Sequence, residues 1–148
     1  MGMITVVASR RIDAAPERVY RCLADMDEHA KILPPAFSGF TVVEGGVGAG
    51  TVTTFTVSAG ARQRAYRMTV AEPEPGRVLT ETDANSSLVT TFTVEPSGSG
   101  SQVEITTTWQ GAGGIGGIFE RLFAPRVMKG VYEDELGRLD AHLRSSPA

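Results

Sequence analysis

A single cysteine, Cys22, stands in the 148 residues. An intramolecular disulfide needs two cysteines and a cysteine-rich zinc site needs more, so neither is expected to staple this chain. The two histidines, His29 and His142, lie far apart without ligand spacing, and no metal site is expected. No G-x-S-x-G nucleophile motif occurs, and no residue is assigned a catalytic role. Apolar runs never approach the ~20 residues of a membrane-spanning helix. The opening residues carry no long apolar stretch behind a basic start, so no secretory signal is expected. Positive charge is not in excess either. The formal net charge is -3, which argues against a nucleic-acid partner, since that would call for a basic face. Arg62, Arg64 and Arg67 are the nearest basic cluster, and strand alternation scatters them. A cytoplasmic protein is the expectation.

What is present fits one globular domain over residues 1–148. Hydrophobic residues make up 41% and charged residues 21%, both ordinary for a packed domain able to bury its own core. From Met3 to Ile12 the chain alternates with β-branched residues, a strand with Ile4, Val6, Ala8 and Ile12 on one face. Pro16 and Glu17 then suit the first turn of a helix, and Val19, Cys22, Leu23 and Met26 form its apolar stripe to about Asp25. A second short helical turn over Asp27 to Lys31 ends before Pro34 and Pro35. His29 is expected on the surface of that turn.

From Phe37 the period changes to two. Runs of alternating residues, joined by short turns of Gly, Pro, Asn and Ser, continue to Gln110 and predict about six antiparallel strands in a meander. Pro73 is expected to end the strand that begins near Ala61. Alternation places Arg64, Tyr66, Met68 and Val70 on one inward face. It groups Leu88, Thr90, Phe92 and Val94 in the same way, and also Val103, Ile105, Thr107 and Trp109. An inward Arg64 would need an anion such as Glu81, Glu104 or a ligand carboxylate, unless it reaches solvent at the strand end.

The closing segment, Gly113 to Leu143, reads as one long helix. Ile118, Leu122, Met128, Tyr132, Leu136, Leu139 and Leu143 keep to one face, and Glu133, Asp134, Arg138 and Asp140 are expected on a solvated face. His142 is expected to stabilise the helix C-terminus, and Ser145 to Ala148 to fray. Gly111 to Gly116 spells G-x-G-x-x-G between strand and helix, but a dinucleotide fingerprint needs a following parallel strand, and none follows. A hinge is the better reading.

Strand, short helices, a run of strands and a long helix make an α+β chain. The first strand with Ile12 to Tyr20 and Leu23-Ala24-Asp25, and the passage from Gly113 to Phe123 into the last helix, resemble the helix-grip superfamily. That superfamily comprises birch-pollen-allergen-like, START and polyketide cyclase/dehydrase and lipid-transport proteins. The resemblance covers the whole chain, with Tyr20 where a tryptophan is frequent. It implies a curved antiparallel sheet of about seven strands wrapped around the C-terminal helix, with short helices after the first strand. It also implies a cavity that takes lipids, polyketides or other hydrophobic or aromatic molecules. Few aromatics (7%) and many strand threonines agree with a modestly filled interior. The expected ligand contacts are Tyr66, Met68, Phe92, Trp109, Ile118, Phe119, Leu122 and Tyr132, with no cofactor. The first functional reading is a carrier, sensor or biosynthetic accessory for such a ligand, as monomer or homodimer. The second is a polyketide cyclase or dehydratase that uses a pocket tyrosine with a charged partner such as Glu81 or Arg64. The third is a protein-partner-binding domain.

Overall fold

The computed structural model describes residues 2–59, 62–111 and 114–146, with side chains described except at 59 and 114–123. β1 (Met3–Ile12) is followed by α1 (Pro16–Ala24), α2 (Met26–His29) and a single 3-10 turn. Six strands come next: β2 (Phe37–Glu44), β3 (Val52–Ala59), β4 (Arg62–Glu74), β5 (Val78–Asp83), β6 (Val89–Ser97) and β7 (Gly100–Gln110). The chain then enters α3 (Gly114–Ser145). The seven strands form one antiparallel sheet in the order β1-β7-β6-β5-β4-β3-β2. This is the helix-grip arrangement.

Consecutive strands pair with their neighbours except once. β1 and β2 lie at opposite edges of the sheet, so the connection through α1 and α2 must cross it. Tight turns make the hairpins: Gly45, Gly48 and Gly50 hold left-handed φ in the loop between β2 and β3. That loop is tied to the helix corner, with Met26 N–H donating to Gly46 O at 2.9 Å and Gly48 N–H to Ala24 O at 3.0 Å. The Tyr20 hydroxyl donates to Glu72 Oε1 at 2.8 Å, and Ala49 N–H reaches Glu72 Oε2 at 3.0 Å. Burial and its carboxylate partner raise the Tyr20 phenol well above its usual range.

Alternation places the strand core as expected. Ile4, Val6, Ala8 and Ile12 of β1 and Val103, Ile105 and Trp109 of β7 are buried, and Leu136, Leu139 and Leu143 of α3 belong to the same core.

Four expectations need correction. Pro73 does not end its strand; β4 continues to Glu74, with a register shift against β5 between Ala71 and Glu74 that accommodates a residue lacking an N–H. Asp140 is buried rather than solvated, because Asp13 N–H, Arg10 and Arg144 converge on its carboxylate at 3.3, 3.2 and 3.1 Å. The closing residues do not fray at Ser146, whose carbonyl takes an Arg18 N–H at 2.6 Å. His29 is buried at 3% exposure, because the apolar stripe of α1 runs on through Met26 to it. The expected hinge at Ala112 and Gly113, and the strand start at Ala61, lie outside the described residues.

Candidate functional site

Where the stretch of α3 from Met128 to Glu135 faces strands β2 to β6, the two layers do not close. Phe37 and Phe40 from β2, Phe55 and Val57 from β3, and Tyr66 and Met68 from β4 form one wall of a cavity. Leu88, Phe92 and Met128 continue the apolar lining. Ring centroids lie 5.4 Å apart for Phe37 and Phe55, 6.1 Å for Phe40 and Phe55, and 5.8 Å for Phe55 and Tyr66. These tilted and stacked rings lie within the range of attractive aromatic pairs. The space left between side chains is about 40 Å³, room for roughly three waters.

The other end of the cavity is polar. His29, Glu81, Thr90, Tyr132 and Glu135 line it. Three elements deliver them. Glu81 shares the inward face of β5 with Leu79 and Asp83. Tyr132 and Glu135 stand one turn apart on α3, and His29 ends α2, whose first turn is capped by the Asp25 carboxylate accepting from Asp27 N–H at 3.0 Å.

Hydrogen bonds fix the imidazole. His29 Nδ1 lies 2.8 Å from Leu23 O, a group that only accepts, so Nδ1 carries a proton. Nε2 lies 3.3 Å from Glu135 Oε2, a contact in which the ring N–H donates to the carboxyl. Phe92 meets the ring edge-on at 5.3 Å. Burial alone would push the imidazole down. The Glu135 hydrogen bond and the charges of Glu81 and Glu135 outweigh it and hold His29 up to about 9. His29 is therefore protonated at neutral pH and donates from Nε2 to Glu135.

Glu81 is 7% exposed, and burial raises its carboxyl above the ordinary range, with the Glu135 charge adding to the effect and His29 opposing it. Among the described residues no hydrogen bond reaches it. Tyr132 is held otherwise: Thr107 Oγ1 donates to its hydroxyl at 2.7 Å, and Thr107 is itself 2.8 Å from Thr90 Oγ1. Burial raises the phenol far enough that Tyr132 stays neutral.

Of the expected ligand contacts, Tyr66, Met68, Phe92 and Tyr132 come together around this cavity. Trp109 is buried opposite Ile4, in the β1–β7 pair, and is not among the lining residues. The side chains of Ile118, Phe119 and Leu122 lie outside the described residues. Arg64 is exposed near the start of β4, its guanidinium 5.6 Å from the centre of the Tyr66 ring, and takes no place in the lining. Sequence reasoning missed His29 and Glu135 as site residues. The available signal was their position on apolar stripes, three residues after Met26 and three after Tyr132. Among the described residues no group of three metal-ligating side chains occurs, and no helix is long and apolar enough to cross a membrane.

The family described as polyketide cyclase / dehydrase and lipid transport matches residues 3–144. The solution structure of the KanY protein (ms6282) is 40% identical, with a TM-score of 0.88, covering 98% of this chain and 100% of that one. The protein TTHA0849 from Thermus thermophilus is 26% identical, with a TM-score of 0.78 over 96% of this chain and 99% of that chain. Major latex-like protein 151 from Panax ginseng, 14% identical, has a TM-score of 0.73 over 95% and 97% of the two chains, a likeness of fold. No curated protein matches the chain.

Proposed function

The chain belongs to the polyketide cyclase / dehydrase and lipid transport family, and on that premise we propose that it binds a hydrophobic or aromatic small molecule between sheet and α3, as a carrier, sensor or biosynthetic accessory. One observation carries the reading: an aromatic wall from three adjacent strands faces a cavity whose far end holds hydrogen-bonding groups. Ligand sites combine a mostly apolar lining with a few placed polar groups in this way. Tyr66, Met68, Phe92 and Tyr132 contact the ligand in this proposal, with Ile118, Phe119 and Leu122 from the first turns of α3. Trp109 belongs to the core beside the cavity, two residues beyond Thr107 on the same face of β7.

A volume of about 40 Å³ is smaller than a lipid or polyketide. Entry therefore moves part of the wall. We place the movement at edge strand β2, which among the described residues pairs only with β3 and whose register with it breaks between Ser38 and Thr41, where Gly39 holds a left-handed φ of 64°. Phe37 and Phe40 swing with it.

The test is a native mass spectrum of freshly purified protein, followed by extraction and identification of any adduct. A stoichiometric apolar or aromatic molecule is expected, either co-purified or acquired from a panel of fatty acids, sterols and aromatic polyketides. A bare mass throughout would overturn the reading. The protonated His29 beside Glu135 on the cavity wall favours a second reading, acid–base catalysis on the bound molecule. Under that reading Tyr132→Phe loses turnover while keeping affinity; under simple binding it changes affinity alone.

A further inference from the structure

Among the described residues no hydrogen-bond donor reaches the Glu81 carboxyl, which is stabilised only through space by the charge of His29. Its neighbour on the same strand face, Asp83, is satisfied by Arg67 N–H at 3.0 Å and the Ser86 hydroxyl at 2.6 Å. Glu135 is satisfied by His29. Glu81 lines the cavity between cross-strand neighbours Val70 and Thr90, and among the described residues nothing donates to it. A carboxyl placed this way costs stability, and a leucine or glutamine of similar size would cost less.

The charges on the wall add a sign. The described lining residues include two carboxyls, one imidazole and neither lysine nor arginine. Among the described residues the imidazole bonds to Glu135 and reaches Glu81 only through space, so one positive charge serves two carboxyls. An anionic ligand head would meet two carboxyls. A cationic head would complete the set, and it would find Tyr66, Met68 and Phe92 beside it for its apolar body.

We propose that the polar end of this cavity is a binding site for the ammonium group of a small aromatic or apolar amine, docked on the Glu81 carboxylate. This rests on the cavity being a ligand site, and it narrows the ligand class by excluding fatty acids and other carboxylates.

Isothermal titration of the whole protein at pH 7 with benzylamine, benzyl alcohol and benzoate tests it. Benzylamine binds tightest and benzoate weakest. Glu81→Gln weakens benzylamine by about tenfold to a hundredfold, the span of one hydrogen bond to a charged group, and leaves benzyl alcohol nearly unchanged. The same variant melts near the wild-type temperature, because the carboxyl it removes accepts no hydrogen bond among the described residues and the change loses only a through-space attraction to His29. Benzyl alcohol or benzoate binding as tightly as benzylamine to the wild type would overturn this proposal alone. So would a Glu81→Gln protein that melts well below wild type, since Glu81 would then be structural. If none of the three binds while an apolar molecule from the wider panel does, this proposal fails and the ligand-site reading stands; if nothing binds at all, both fail.

Discussion

Two parts of one helix face meet the same sheet in different ways. Toward its C-terminus, α3 presents Leu136, Leu139 and Leu143, at 1%, 0% and 5% exposure, to a core that includes Ile12, Val103 and Ile105. The leucines there pack closed, and the buried Asp140 beside them is met by Asp13 N–H, Arg10 and Arg144. One turn earlier the same face presents Met128, Tyr132 and Glu135, and there it leaves a cavity and buries two ionisable groups, Glu135 and His29, against a third, Glu81. Glu135 and Leu136 are adjacent, so the boundary falls within a single helical turn. The closed part supplies stability. The open part gives some up, because an interior built only to be stable would place leucine where Glu81 stands.

Leu139→Ala should produce the largest effect. Removing a fully buried leucine costs about 2–5 kcal/mol, read as a lower denaturant midpoint, with ligand binding retained in the surviving native fraction. A loss below about 1 kcal/mol would mean the closed part is not the anchor described here.

The next largest effect concerns pH. The folded protein holds the His29 proton up to about 9, while the unfolded chain releases it near 6.5. The native state thus binds more protons between these values, so stability is full below pH 6.5 and is lost as pH rises toward 9. Glu81, raised from 4.5, acts in the same direction from a lower pH upward. Melting temperatures should fall across this window by the equivalent of about 1–3 kcal/mol. Glu135→Gln, which removes the hydrogen-bonded carboxylate, should flatten the slope. A profile that rises with pH would contradict the assigned pair.

Tyr132→Phe is expected to cost about 1 kcal/mol, since Thr107 loses its acceptor but keeps Thr90. The smallest effect belongs outside both parts. Arg138→Ala breaks an exposed pair with Asp134 at 3.0 Å and should change stability by less than about 0.5 kcal/mol.

The fold could be read from the sequence because its information is local. Period-two alternation assigned the inward faces of β1, β4, β6 and β7, and glycine and proline marked the turns between them. Four cavity residues, Tyr66, Met68, Phe92 and Tyr132, followed from those faces and from the helix stripe. The polar end was not legible in the same way. His29 and Glu135 are 106 residues apart and each makes sense only beside the other. Hydropathy alone sends a histidine on a short helix to the surface. Asp140 fails for the same reason, because its burial depends on Asp13, Arg10 and Arg144 arriving from two elements. Trp109 shows the limit of alternation, which gives the correct face but not the position along the sheet.

The central claim, a ligand cavity between sheet and α3, is tested most directly by methionine-methyl NMR during titration with benzyl alcohol. Met68 and Met128 line the cavity, Met3 is exposed, and Met26 is buried outside the lining. The account predicts saturable shifts at Met68 and Met128 with Met3 and Met26 unmoved. Shifts confined to Met3, or no saturable shift at any of the four, would contradict it.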